Sequence, residues 1–94
     1  MEYKHIEVNG QAYKVHYLKE QDEHMQENDL NGYCDRANKM IYVWDQHNEA
    51  WVKDTLAHEL IHAYLYEIGY HKLDNETDVE ILSKLLRKLG GYVI

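Results

Sequence analysis

The first half of the chain alternates between polar and apolar positions with a period of two. Residues Tyr3–Val8 and Ala12–Leu18 alternate in this way, and the pair Asn9-Gly10 between them is a strong signal for a two-residue hairpin turn. The pattern therefore predicts an N-terminal β-hairpin. Residues Lys19–Asn31 are polar without an apolar stripe, which predicts a loop or a short exposed helix.

Two shorter strands are predicted after this polar segment. Asn31-Gly32 is a second turn signal, and Tyr33–Arg36 follows as a short strand. Ala37-Asn38-Lys39 predicts a turn before Met40–Trp44, a segment rich in β-branched and aromatic residues.

The second half of the chain has a helical pattern. Asp45 and Asn48 are both plausible N-caps of a long helix that ends near Gly69, a residue suited to a left-handed C-terminal position. This helix is apolar on almost every side, which is typical of a buried helix. The residues that make it so are Trp51, Val52, Leu56, Ala57, Leu60, Ile61, Ala63, Leu65 and Ile68.

A last helix is predicted to start at Asp74 or Asn75 and to end at Gly90-Gly91. Its apolar stripe comprises Val79, Leu82, Leu86 and Leu89, widened by Ile81 and Leu85. Strands followed by helices predict an α+β fold in one domain, residues 1–94. In it, a small antiparallel β-sheet packs against the buried long helix and the C-terminal helix.

Composition limits the classes of function. The net charge of −7 and the pI of about 5.4 disfavour nonspecific binding to nucleic acid or to anionic membranes. No apolar run approaches the length of a membrane span, and the N-terminus lacks the apolar core of a signal peptide.

Cys34 is the single cysteine. It is interpreted as a packed strand residue, and the lack of an internal disulfide fits a reducing cytosol, so a cytoplasmic location is expected.

The long helix carries the most informative motif, His58-Glu59-Leu60-Ile61-His62. Residues four apart share a face of a helix, so both imidazoles can bind one ion, and Glu59 can reach a water on that ion. This HExxH arrangement is typical of zinc hydrolases. Two histidines and a glutamate in a buried helix need partners, and one Zn²⁺ per chain satisfies all three.

A catalytic zinc site of this kind needs a third protein ligand. His71 is one candidate, although the spacing excludes the HExxHxxGxxH class, since Leu65 and Ile68 occupy the required Gly and His positions. Acidic residues of the last helix are the better candidates, namely Glu76, Asp78 and Glu80. Glu76 and Glu80 share a face, so the pattern favours Glu76 as ligand and Glu80 as hydrogen-bond acceptor for a ligand histidine.

These residues resemble those of known zinc peptidases. HExxH followed by a glutamate on a later helix looks like the gluzincin class. The segments Thr55–His62 and Glu76–Ser83, with Met40–Val43 as strand, are similar to the pattern of the small ImmA/IrrE-type metallopeptidases of bacteria, mobile elements and phages. The resemblance implies a minimal zincin-like fold in which His58, His62 and Glu76 hold zinc and Glu59 is the general base.

The resemblance implies peptide-bond hydrolysis on a cytosolic protein, in the host cytoplasm if the chain is phage-encoded. Zinc would activate water and Glu59 would move the proton. Tyr64, Tyr66, Tyr70 and His71 are candidates for the donor that stabilises the oxyanion, and none stands out.

The partner of such an enzyme is a protein or peptide substrate. Met40–Trp44 could be an edge strand to which an extended substrate adds, or an ordinary interior strand. The alternative function is a non-catalytic zinc-containing binding or regulatory module that acts on a host protein. Glu59 separates the two hypotheses, since a structural site needs the histidines but not this glutamate.

Overall fold

The predicted elements are present in the structure, a computed structural model that describes residues 2–89, without the side chain of Glu2. The strands are β1 (Glu2–Val8), β2 (Gln11–Leu18), β3 (Gly32–Asp35) and β4 (Met40–Trp44). The helices are α1 (Glu23–Asn28), α2 (Glu49–Ile68), a 3₁₀ turn (His71–Leu73) and α3 (Glu76–Lys88). This order confirms the α+β class.

The strands form one sheet in the order β1-β2-β4-β3. The β1-β2 hairpin turns at Asn9 and Gly10, both with positive φ, as predicted. However, β2 and β4 pair in parallel, with Val15 opposite Ile41 and Tyr17 opposite Val43. The sheet is therefore mixed, and the prediction of an antiparallel sheet is wrong. The reason is that the chain reaches β4 through α1 and β3, and this longer connection returns β4 in the direction of β2.

Strand β4 is an interior strand. It bonds to β2 on one side and antiparallel to β3 on the other. Met40–Trp44 therefore has no open edge for an added peptide, and of the two interpretations the interior one is correct. The edges of the sheet are β1 and β3.

One face of the sheet packs against α2 and forms the core. The buried residues of this cluster are Val8, Tyr13, Val15, Ile41, Val43, Leu56, Leu60 and Ala63. The helix is buried only on the side that meets the sheet and α3. Trp51, Tyr64, Tyr66 and Ile68 remain exposed, so the prediction of a helix buried all round is wrong.

Each of the two long helices begins at one of the two caps that the sequence offers, and α2 ends at Gly69 as predicted. The side chains of Asn48 and Asn75 cap α2 and α3, and Gly69 ends α2 with a φ of 83°. Helix α3 ends at Lys88, and the predicted stop at Gly90-Gly91 lies outside the described residues. The residues of its predicted apolar stripe differ in burial. Val79 is buried, whereas Ile81, Leu85 and Leu89 are exposed. None of the helices within residues 2–89 is long and apolar enough to span a bilayer.

Candidate metal centre

Helices α2 and α3 face each other along two stripes of residues with the same spacing. On α2 the stripe is Trp51, Thr55, His58 and His62, and on α3 it is Glu76, Glu80, Ser83 and Arg87. The spacing of four, three and four residues keeps each stripe on one face of its helix. His62 meets Glu76 at one end, and Asp54 meets Arg87 at the other, so the two helices run in opposite directions.

Three side chains converge where the helices meet the 3₁₀ turn. The Nε2 atom of His58 lies 3.1 Å from Oε2 of Glu76, and Nε2 of His62 lies 2.8 Å from Oε1 of the same carboxylate. One ligand atom from each of the three residues lies within 4.8 Å of the other two. The structure thus brings together the three residues that the sequence assigns to the metal.

The second nitrogen of each histidine also meets a carboxylate. His58 Nδ1 lies 3.4 Å from Oε2 of Glu80, the acceptor that the spacing suggested. His62 Nδ1 lies 2.6 Å from Oδ1 of Asp74, whose side chain is only 5% exposed. A carboxylate on Nδ1 fixes the tautomer of the ring and keeps the Nε2 lone pair for a metal.

Asp74 and Arg36 belong to the site although the sequence analysis missed them. Arg36 Nη2 lies 2.8 Å from Oδ2 of Asp74 and 3.3 Å from Nδ1 of His62. The sequence pattern offers Asp74 only as a helix cap, a role that Asn75 takes in the structure. The presence of an acidic residue two positions before Glu76 was the available signal for Asp74. Arg36 follows β3 and is brought to the site only by the β3-β4 hairpin.

Glu59 lies beside these ligands at the floor of the site. The residue is 8% exposed, and burial raises the pKa of its carboxyl above the usual range, although His58 and His62 act in the opposite direction. Gly32, at the start of β3, allows this placement. A Cβ at Gly32 would lie 2.8 Å from Cγ2 of Thr55 and 3.6 Å from Cγ of Glu59. The absence of a side chain therefore lets α2 approach the edge strand.

The donor set fits a divalent cation. A neutral imidazole has one N–H and one lone pair. When Nδ1–H of His62 is donated to Asp74 and that of His58 to Glu80, both Nε2 lone pairs face the oxygens of Glu76. A cation at that point is favoured, because it relieves the repulsion between these atoms. Two imidazoles and one carboxylate are also the ligands of a common type of catalytic zinc site.

The predicted oxyanion donors lie away from this site. The Tyr64 hydroxyl donates to the backbone oxygen of Glu7, since Tyr64 projects from another side of α2 than His58 and His62. The Tyr66 ring lies near Arg36 and His71. Tyr70 is exposed, and none of these four residues lines the cleft beside Glu59. The structure therefore singles out none of these four candidates as an oxyanion donor.

The remaining candidates have other positions. Asp78 accepts a hydrogen bond from the Asn75 amide at the start of α3, and His71 is exposed in the 3₁₀ turn. Neither belongs to the metal-ligand group. Cys34 packs against the core, and burial raises the pKa of its thiol to about 12, which disfavours the nucleophilic thiolate.

The metal-ligand group opens into a cleft of about 670 Å³ between α2, α3 and the loop that precedes β3. His58, Glu59 and Glu76 line one end of it, and Trp51, Lys84 and Arg87 line the rest. A solvent-filled groove of this size admits an extended peptide segment.

Comparison of the chain with protein-family models, with curated proteins and with solved structures finds no match.

Proposed function

We propose that this chain is a zinc-dependent metallopeptidase of a minimal zincin-like form, related in design to the ImmA/IrrE-type enzymes that its motifs resemble. One observation carries the proposal. The two HExxH histidines and Glu76 converge through their ligand atoms, with a buried glutamate beside them and a cleft in front. A zinc site with only a structural role does not require the buried carboxylate of Glu59.

His58, His62 and Glu76 would hold the zinc. A zinc ion held there supplies a Lewis acid that polarises the scissile carbonyl and lowers the pKa of water. Asp74 and Glu80 orient the two imidazoles through Nδ1, and Arg36 holds Asp74 in place.

Glu59 acts as the general base. It is the buried carboxylate that lines the cleft beside the ligands, and it takes a proton from the attacking water and gives it to the leaving amine. The nearby edge strand β3 offers backbone groups along which an extended substrate can lie, in place of the interior strand β4. Gly32 keeps that edge close to Glu59.

The first experiment measures the metal content of the protein purified without added zinc. We expect about one zinc per chain, lost in His58→Ala and retained in the matched control His71→Ala, which changes an exposed histidine outside the site. A metal-free protein with a melting temperature indifferent to added zinc would contradict the metal centre.

The second experiment separates an enzyme from a binding module. Glu59→Gln should keep the zinc and the melting temperature but lower hydrolysis of a fluorogenic peptide library by about 10²–10⁴-fold, the usual contribution of a general base. Equal hydrolysis by this variant would refute the mechanism. Zinc binding without hydrolysis by the wild type would leave the non-catalytic module as the function.

A further inference from the structure

The cleft extends well beyond the candidate metal centre, along the facing sides of α2 and α3. At the far end, Trp51 lies on the α2 side, and Lys84, Arg87 and Lys88 lie on the α3 side. A peptide occupies more space than its reacting bond, so neighbouring substrate residues would bind in this distal half. The two walls differ strongly in chemistry.

Trp51 forms a fixed aromatic wall. It lies seven residues before His58 and therefore on the same face of α2. The residue is 46% exposed, and its ring stacks on His47 with centroids 4.7 Å apart. The His47 ring in turn meets Trp44 edge to face, also at 4.7 Å. An exposed tryptophan that is supported from behind loses little conformational freedom when an apolar side chain packs on it.

The opposite wall is cationic. Lys84, Arg87 and Lys88 account for three of the ten Lys and Arg residues in a chain of net charge −7. Arg87 Nε donates to Oδ1 of Asp54 at 2.7 Å, and Lys84 Nζ lies 3.7 Å from Glu80. Asp29 and Asp54 also line this half, so its three cations face two carboxylates, whereas Glu80 belongs to the metal end, which is rich in carboxylates.

A cationic last turn of a helix is favoured by the helix dipole without any ligand. The dipole does not account for the position of these cations across a cleft from a half-exposed tryptophan. Together the two walls suit a ligand with a large apolar group beside a negative charge.

We infer that the distal half of the cleft is a specificity site for a peptide in which a large apolar side chain lies next to a carboxylate. The apolar side chain packs on Trp51, and the carboxylate pairs with Lys84 and Lys88. The carboxylate can be an acidic side chain or the C-terminus of the substrate. The inference rests on the proposed function in that it takes the ligand of the cleft to be a peptide.

The test measures peptide binding by calorimetry in the Glu59→Gln protein, which does not turn the peptide over. Four N-acetylated, C-amidated peptides differ only at a central pair: Leu-Asp, Leu-Asn, Leu-Lys and Ala-Asp. We expect Leu-Asp to bind about tenfold more tightly than Ala-Asp, and about three- to fivefold more tightly than Leu-Asn. A fifth peptide with Leu at a free C-terminus distinguishes the two sources of carboxylate.

Substitutions in each wall of the cleft test which wall causes each peptide preference. Trp51→Ala should remove the preference for Leu over Ala, with Tyr3→Ala, an exposed tyrosine far from the cleft, as control. Lys84→Glu and Lys88→Glu should each shift the preference from Leu-Asp toward Leu-Lys, with Lys19→Glu as the charge-matched control. Arg87 is left intact, since it links the two helices through Asp54.

The outcomes separate this inference from the proposed function. Unchanged peptide preferences in Trp51→Ala and in the lysine variants would overturn the specificity site, even if the wild type hydrolyses all the peptides. Preferences that follow the variants, in a protein that hydrolyses none of the peptides, would support the binding site and contradict the peptidase.

Discussion

Helix α2 carries two carboxylates that are similarly shielded from water but differ in their partners. Glu67, whose side chain is 10% exposed, accepts a hydrogen bond from the Tyr13 hydroxyl at 2.5 Å and lies 2.5 Å from Lys39 Nζ. The hydrogen bond from Lys39, followed by that from Tyr13, lowers the pKa of Glu67. Glu59 is 8% exposed, and burial raises its pKa.

The two carboxyls differ in what acts most strongly on their pKa, which is burial at Glu59 and hydrogen bonds from side chains at Glu67. Within residues 2–89, no side chain donates a hydrogen bond to Glu59, whereas two converge on Glu67. The Glu67 carboxylate, which accepts hydrogen bonds from Tyr13 and Lys39, links α2 to the sheet. A buried carboxylate without them keeps its capacity to bind a proton, which is what a general base requires. Under the proposed function, the same residue type is therefore structural in one turn of α2 and the general base in another.

Asp74 offers the strongest test of this comparison, because its carboxylate contacts both Arg36 and His62 and lies in the candidate metal centre. Asp74→Ala removes the acceptor of His62 Nδ1 and the partner of Arg36, and we expect zinc affinity to fall about 10- to 100-fold. Competition with a chelator measures the affinity, with Asp45→Asn as control. Unchanged affinity would show that Asp74 does not orient His62.

Gly32→Ala tests the close approach of β3 to Glu59. The new Cβ would lie 2.8 Å from Thr55 Cγ2 and from the Tyr42 carbonyl oxygen. We expect a loss of about 1–3 kcal/mol in the free energy of unfolding, measured in urea, together with lower hydrolysis. Adding Thr55→Ser, which removes the methyl group, should restore part of the stability. A fully stable and active Gly32→Ala protein would contradict the close approach.

Tyr13→Phe removes one donor from Glu67 and leaves Lys39 in place. We expect a loss of about 1–2 kcal/mol in the free energy of unfolding with unchanged hydrolysis, since the hydroxyl bonds a charged group away from the site. Tyr64→Phe is the control, because its hydroxyl bonds to an exposed backbone oxygen. Equal stability of Tyr13→Phe and the wild type would remove the structural role assigned to this bond.

The smallest expected effect is the dependence of stability on pH through Glu67. Its pKa in the folded state is lower than in the unfolded chain, so the stabilisation is present above the unfolded value and is lost as the pH falls through the folded one. Urea unfolding from neutral to acidic pH should show the wild type and Glu67→Gln converging as the pH falls. A constant difference between them would contradict this linkage.

Local sequence patterns suffice to predict several elements of this protein. Alternation and the Asn-Gly turn determine the β1-β2 hairpin, and the candidate caps limit the start of α2 and of α3 to two positions each. The four-residue spacing of His58 and His62, and of Glu76 and Glu80, determines which side chains share a face. Such features depend on residues close in sequence, so the chain alone suffices to predict them.

Only the tertiary structure decided the features that join distant segments. The parallel pairing of β2 with β4 makes Met40–Trp44 an interior strand. Packing of the β3-β4 hairpin against α2 brings Arg36 to Asp74 and His62. Tyr64 instead reaches the backbone of β1 at Glu7, away from the site. No local pattern encodes these contacts, because they depend on how whole elements bury their apolar faces against one another.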